Sequence, residues 1–414
     1  MRTRLAMGGG LLAALAGGLW QQGLLDTQPP SISATLPTPP GDLRGTVLLS
    51  LSAADDAPGL RTLTVQLDDD PPQPIAPGTT EIPLDTTTLP DGAHRLVVRA
   101  VDGAWVGNEV SVALDFFTDN TAPSLEIASG SLGAVQGQTL AIYLRPSEPL
   151  SALTGELLGQ QRIFYELGDG LWRALVGVDI RAEVGSLPLR LALTDTAGNT
   201  SEAAVPLTIA AGSFPRGGMI RLTPAQEAAR KDDRNRAKTR KERDDVYSMR
   251  LPAARWEGTM QRPTAGRRTS GFGRYRTYSD GRRSYHHGTD LASPTGTPVA
   301  AAAPGVVRKA GWQHIFGNAV MVDHGQGVST SYNHLSAVDV TVGQEVAAGD
   351  VVGKVGSTGQ STGPHLHWAV VVDGVAVDAE QWLEHSFLAG EYDQFADATQ
   401  IDGAAVWPAS PQSP

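Results

Sequence analysis

Short stretches of alternating apolar and polar residues, broken by Gly, Pro, Asn and Asp, recur along most of the chain. Gly45–Ser52 (GTVLLSLS), Leu60–Leu67 (LRTLTVQL) and Ala93–Asp102 (AHRLVVRAVD) each turn one side inward with a period of two. That period marks half-buried strands, and turn residues between short strands predict a β-sandwich over residues 30–120. The pattern then recurs. Leu96–Asn108 (LVVRAVDGAWVGN) and Leu189–Asn199 (LRLALTDTAGN) are each a strand running into Asp, a Gly-Asn turn and a further alternating strand, which predicts a second β-module over 121–211.

Three stretches break the strand pattern. Thr27–Gly41 is rich in Pro, Ser and Thr and reads as a spacer. Residues 222–250 are polar on every side, with Thr223 as N-cap, Pro224 at the first helical position and Gln226 three residues after the cap. This predicts one charged connecting helix, a spacer able to lie across a neighbouring cleft. The tail from 388 to 414 turns acidic and then Pro/Ser-rich, and is expected to be poorly ordered. Between connector and tail, residues 260–385 carry short apolar strands separated by glycine turns, the pattern of an antiparallel sheet with tight hairpins. The fold class expected overall is mainly β: two tandem sandwiches, a helix and a C-terminal antiparallel sheet.

At the N-terminus Arg2 and Arg4 precede the apolar run Leu5–Trp20, the layout of a secretory signal, with Ala14-Leu15-Ala16 offering a cleavage site. Retention as a membrane anchor through residues 5–25 is the alternative, and both place the chain in the cell envelope or outside it. Residues 1–26 are read as this signal or anchor.

Composition narrows the chemistry. The 414 residues carry a net charge of -11, a pI near 5.3 and no cysteine. Disulfides, thiolate metal sites and a cysteine nucleophile are excluded, and nothing supplies the basic footprint of a nucleic-acid partner. The acidic run Asp68-Asp69-Asp70 reads as a solvated turn rather than a calcium site. Nothing in the pattern speaks to oligomeric state.

Histidine clusters in one region. His286-His287-Gly288-Thr289-Asp290, Tyr332-Asn333-His334-Leu335 and Gly363-Pro364-His365-Leu366-His367 follow one another within 82 residues. On a strand His365 and His367 share a face. His286 and Asp290 share one in either a helix or a strand, and the nearby Gly288, Pro294 and Gly296 favour extended backbone. Neutral imidazoles with one carboxylate are what zinc takes when it keeps a coordination position open. No HExxH helix and no phosphate-cradling loop competes.

In that order HxxxD, YNHL and STGPHLH resemble the signature of lysostaphin-type (LytM-domain) zinc metallopeptidases, over residues 265–385. Gly317-Asn318 and Gly356-Ser357-Thr358-Gly359 also fall where that family's pattern puts them. The resemblance implies Zn²⁺ held by His286, Asp290 and His367, with His334 and His365 as the catalytic pair at the attacking water. Asn318 and Tyr332 are the substrate-side candidates, while His287, His314 and His324 are expected to stand outside the site. The family usually has an arginine where this chain has Tyr275, flanked by Arg274 and Arg276. The implied function is an exported endopeptidase cutting peptide cross-links or stems of peptidoglycan. The alternative is a non-catalytic LytM-domain regulator that activates a cell-wall amidase. The β-modules, whose DNTAP and DTAGN segments are similar to bacterial immunoglobulin-like repeats, would space the enzyme at the wall.

Overall fold

A computed structural model describes residues 26–37, 42–56, 59–128, 132–395 and 398–401. The expected signal or anchor lies outside the described residues except for Asp26. The chain is mainly β, and its contacts divide it into two compact units: residues 1–123 with 149–152 and 193–201, and the remainder.

In the first unit, a three-stranded sheet (Ser31–Thr35, Thr46–Ala54, Glu81–Asp85) and a four-stranded sheet (Gln73–Pro74, Leu60–Leu67, Gly92–Asp102, Glu109–Thr118) share one core. Leu49 and Leu51 from the first sheet meet Leu63, Leu96, Val98 and Ala100 from the second, the inward positions of the alternating strands. Ser31–Thr35 pairs antiparallel with Ser50–Ala54, so the stretch expected to be a spacer is in part an edge strand. Its Ile32 and Ala34 are apolar enough to join the core. The Asp68 turn is not a metal site: Asp68 accepts the Arg95 amide at 2.8 Å and pairs with His94 at 2.7 Å.

The second β-module contributes one five-stranded sheet and four strands of another, whose fifth strand comes from the tail. That strand, Ala398–Ile401, runs antiparallel to Leu125–Ala128. The segment Ala389–Phe395 forms a 3₁₀ helix, so the tail is ordered further than its composition predicts. Most of this module is packed against the C-terminal domain within the second unit. Arg173, fully buried, donates to the Phe387 carbonyl and the Gln326 side chain. Asp373 takes Arg162 at 3.5 Å and Arg250 at 2.7 Å, and the Trp382 indole donates to Thr139 Oγ1 at 2.9 Å. Residues on either side of 211 thus belong to one compact unit.

The connector is two helices, α1 (Pro224–Lys231) and α2 (Asp233–Ser248). Thr223 and Gln226 form the expected capping box on α1. Asp232 interrupts the run because its side chain accepts the Asn235 amide and starts a new helix.

The C-terminal domain contains β1 (Arg267–Ser270), β2 (Tyr275–Tyr278), β3 (Thr289–Ala292), β4 (Gly305–Gln313), β5 (Gly317–Gly325), β6 (Val328–Leu335) and β7 (Leu366–Val372). All but β2 join one antiparallel sheet in the order β1-β3-β7-β6-β5-β4, with Glu345–Val346 on its far edge. One face of this sheet carries the largest core, centred on Val320, Val322, Tyr332, Leu366, Trp368 and Val370. The opposite face carries Asn333, Ser331 and His367. Strand β2 instead pairs in parallel with Arg216–Ile220.

Candidate metal centre

The site sits where β3 and β7 run side by side, with Asp290 opposite His367 in the ladder. Pairing across two adjacent antiparallel strands brings residues 77 apart in sequence to within one hydrogen bond. His286 enters from the loop before β3. Gly288 is required between them: a Cβ there would lie 2.6 Å from the Trp368 carbonyl and 2.9 Å from the His367 ring.

Three lone-pair atoms form a triangle. His286 Nε2 lies 2.9 Å from His367 Nδ1, and each lies 2.9 Å from Asp290 Oδ1. All three residues are buried. His286 Nδ1 donates to the Gly271 carbonyl at 2.9 Å, which leaves Nε2 bare toward the triangle. Burial on its own would raise the Asp290 carboxyl, but the adjoining His286 and His367 rings hold it well below the usual carboxylate range. Burial pushes the His367 imidazole down to about 3, so the ring is neutral at physiological pH. Two imidazoles and one carboxylate around a common point suit a metal ion.

His334 and His365 flank this triangle, with ring centroids 5.0 Å apart. His365 Nδ1 donates to the Gly363 carbonyl at 2.8 Å, and its Nε2 stands 3.6 Å from Asp290 Oδ1. His334 Nδ1 donates to the Thr358 carbonyl at 2.8 Å. Burial and the neighbouring His365 push His334 down to about 4. His334 has a left-handed backbone, φ +63°, which costs a non-glycine residue roughly 1 kcal/mol or more and is a feature of functional positions. Strand parity would aim His334 at the same side as Tyr332. The left-handed turn sends it to the other.

Tyr332 is not a substrate-side group. Its ring is fully buried, and its hydroxyl accepts the Ala302 amide at 2.7 Å and the Thr330 hydroxyl at 3.0 Å. Asn318 spends its amide on the Leu335 carbonyl at 3.2 Å, holding the strand end rather than facing the site. Of the histidines expected outside, His324 is buried between the Pro304 carbonyl and Thr330, and His314 donates to the Ala229 carbonyl at the end of α1. His287 lines a cavity of about 790 Å³ shared with His367, Phe316 and the Arg236, Arg240 and Arg243 side of α2.

One site residue escaped the sequence pattern. Arg276 on β2 donates to Asp290 Oδ2 at 2.6 Å and to Ser270 Oγ at 3.0 Å. Arg274, by contrast, lies against Gly217.

Within the sheet, two imidazoles and a carboxylate stand together with a second histidine pair beside them, a donor set that could hold a metal ion. Residues 284–379 match Peptidase family M23, and the C-terminal part of the chain is an M23 peptidase domain of the LytM type. The DD-carboxypeptidase/endopeptidase Mpg of Neisseria meningitidis is 50% identical over 93 residues, 22% of this chain and 21% of that protein. The peptidoglycan DD-endopeptidase ShyB of Vibrio cholerae is 41% identical over 153 residues, 33% of this chain and 35% of that protein. The chain thus matches between 21% and 35% of the length of these relatives. The solved catalytic domain of lysostaphin from Staphylococcus simulans is 35% identical and covers 29% of this chain and 92% of that one, with a TM-score of 0.27. An M23 peptidase structure from Pseudomonas aeruginosa covers 60% of this chain and 94% of that one at 27% identity, with a TM-score of 0.46.

Proposed function

We propose that the chain is an exported zinc endopeptidase that hydrolyses peptide bonds in the cross-links or stems of peptidoglycan. The observation that carries this reading is the 2.9 Å triangle of His286, Asp290 and His367 facing the His334–His365 pair. The M23 match and the endopeptidase names of its relatives support it, and the Arg2/Arg4 and Leu5–Trp20 pattern supports export.

His286, Asp290 and His367 would hold the ion. When bound, zinc supplies a Lewis acid for the scissile carbonyl and for water. The chain's own groups handle the proton. His334, neutral and with Nδ1 tied to the Thr358 carbonyl, presents Nε2 to accept a proton from the attacking water. His365, its Nδ1 donating to the Gly363 carbonyl, presents an Nε2 lone pair on the same side and steers the water's other proton; only after that nitrogen has taken a proton does it donate to the developing oxyanion. The carbonyl partners fix both rings in one tautomer, so neither has to reorganise during turnover. A regulator that has given up catalysis has no need of this second pair, which favours the enzyme over an amidase activator.

The test is metal content together with hydrolysis of purified peptidoglycan. The parent should hold one zinc per chain and release new amino groups. His367→Ala should lose the zinc, and His334→Ala should keep it and fall by roughly 10²-fold or more in kcat. A parent that binds no metal and releases no amine would refute the proposal.

A further inference from the structure

We infer that Arg276 is a positioning residue for the metal centre: it holds the outer oxygen of Asp290 and, through Ser270, steadies His286. The assignment rests on the reading of this site as a metal centre. It concerns a residue outside the matched 284–379 segment.

The geometry is specific. A single guanidinium nitrogen, Nη2, reaches Asp290 Oδ2 at 2.6 Å and Ser270 Oγ at 3.0 Å. Ser270 Oγ is in turn 3.2 Å from His286 Nδ1, whose proton also points to the Gly271 carbonyl. Asp290 therefore has two unlike oxygens. Oδ1 belongs to the triangle with His286 and His367, and Oδ2 is taken by the arginine. A carboxylate held this way would offer a bound metal Oδ1 alone, since Oδ2 is engaged by Arg276.

Arg276 is itself placed by the fold. It lies on β2, clamped between Arg216–Ile220 on one side and Arg283–Tyr285 on the other, with Arg276 opposite Ser284. Its side chain is 20% exposed and that of Asp290 is 9% exposed, so the pair is screened far less than a surface one. The segment just upstream of the connector helices therefore supports the strand that carries the arginine.

The experiment measures metal binding directly, by competition with a chromophoric chelator on the full-length chain, for the parent, Arg276→Ala and Arg276→Lys. Removing a group that orients a ligand typically lowers metal affinity 10–100-fold. Arg276→Ala is expected in that range, with Arg276→Lys recovering part of the loss through a single point charge. Substituting Co²⁺ for zinc reads the geometry: the alanine variant should lose visible absorption intensity as Asp290 becomes free to bind through both oxygens. If Arg276→Ala binds metal within twofold of the parent and its Co²⁺ spectrum is unchanged, the assignment is wrong. Should the alanine variant unfold, Arg276→Lys is read alone: affinity below the parent's by more than twofold supports the positioning role, and parental affinity with a parental Co²⁺ spectrum overturns it. A parent that takes up no metal at all refutes the metal-centre reading instead, an outcome distinct from a parent that binds and variants that bind equally well.

Discussion

The Arg243 guanidinium lies 4.1 Å above the ring of Phe316, on the side of the sheet that carries Ser331, Asn333 and His367. It also donates to Gln313 at 3.2 Å, Ser331 at 3.3 Å and Asn333 at 3.5 Å, and Asn333 in turn donates to the His367 carbonyl at 3.1 Å. Helix α2 is thus seated on the same sheet face that carries a metal-ligand candidate, with Lys309–Glu242 as a second tie at 3.2 Å.

On the proposed function, an extended substrate peptide would run along that face, where Arg243 stands. Arg243→Ala removes the stacking and hydrogen-bond contacts and should weaken docking of α2 by about 1–2 kcal/mol. That raises the undocked population roughly 5–30-fold. The expected result is a rise of that order in kcat/KM on soluble cross-linked peptides, with unchanged zinc content. A rate equal to or below the parent's would mean that the helix does not obstruct the groove.

The clustering of His286, Asp290 and His367 was readable in advance because it is local in pattern: two residues spaced to share a strand face, and an HxH on another strand. Tyr332 misled for an equally local reason. Alternation puts it on the side of His334, and only the left-handed backbone at His334 breaks that parity. Arg276 was out of reach because the contact between β2 and Asp290 depends on a hairpin whose course no periodicity reveals. The edge strand Ser31–Thr35 hid behind the neighbouring prolines. The docking of the second β-module was equally hidden, since a fully buried arginine such as Arg173 looks like any surface arginine in sequence.

Arg173 gives a stability prediction. Burial lowers its guanidinium to about 10, still charged at neutral pH, and its two acceptors, Phe387 O and Gln326, have been withdrawn from water with it. Arg173→Ala leaves both acceptors unsatisfied, at a cost of about 1–3 kcal/mol each. The second unit should unfold at markedly lower denaturant concentration, with residues 124–148, 153–192 and 202–401 melting together. Consistent with this, a chain cut to residues 212–414 is expected to be less stable than the full chain. An unchanged midpoint for Arg173→Ala would show that the module is only resting on the catalytic domain.

The triangle predicts its own response to substitution. Asp290→Asn keeps size and one lone-pair oxygen but removes the negative charge that sits among His286, His367 and Arg276. Arg276 then loses its ion-pair partner in a mostly buried setting. Zinc affinity should fall at least as far as in Arg276→Ala, and the double variant Asp290→Asn/Arg276→Ala should lose less than the sum of the two single losses, because the groups are directly coupled. Strict additivity in chelator competition would mean that the two residues act independently.

In the first unit a single histidine should set the pH response. His94 Nδ1 pairs with Asp68 Oδ2 at 2.7 Å, and the ring's Nε2 donates to the Pro90 carbonyl at 2.8 Å. The Asp68 hydrogen bond and the Pro90 carbonyl raise the imidazole above its ordinary 6.5 against the opposing effect of burial, and Asp68 is lowered by the Arg95 amide and by His94. A histidine raised in the folded state binds its proton more tightly there than in the unfolded chain. Its contribution is therefore fully present below pH 6.5 and is lost as pH rises through the elevated folded value. Asp68 acts at the other end of the range, contributing above the unfolded carboxylate value and fading as pH falls below it. Stability of the first unit, followed by thermal unfolding, should then be greatest in the mildly acidic range and decline above pH 6.5. His94→Gln should flatten the decline on the alkaline side, and Asp68→Asn should flatten both limbs. A parent whose midpoint is constant from pH 6 to pH 8 would show that His94 does not change its charge between the folded and unfolded states.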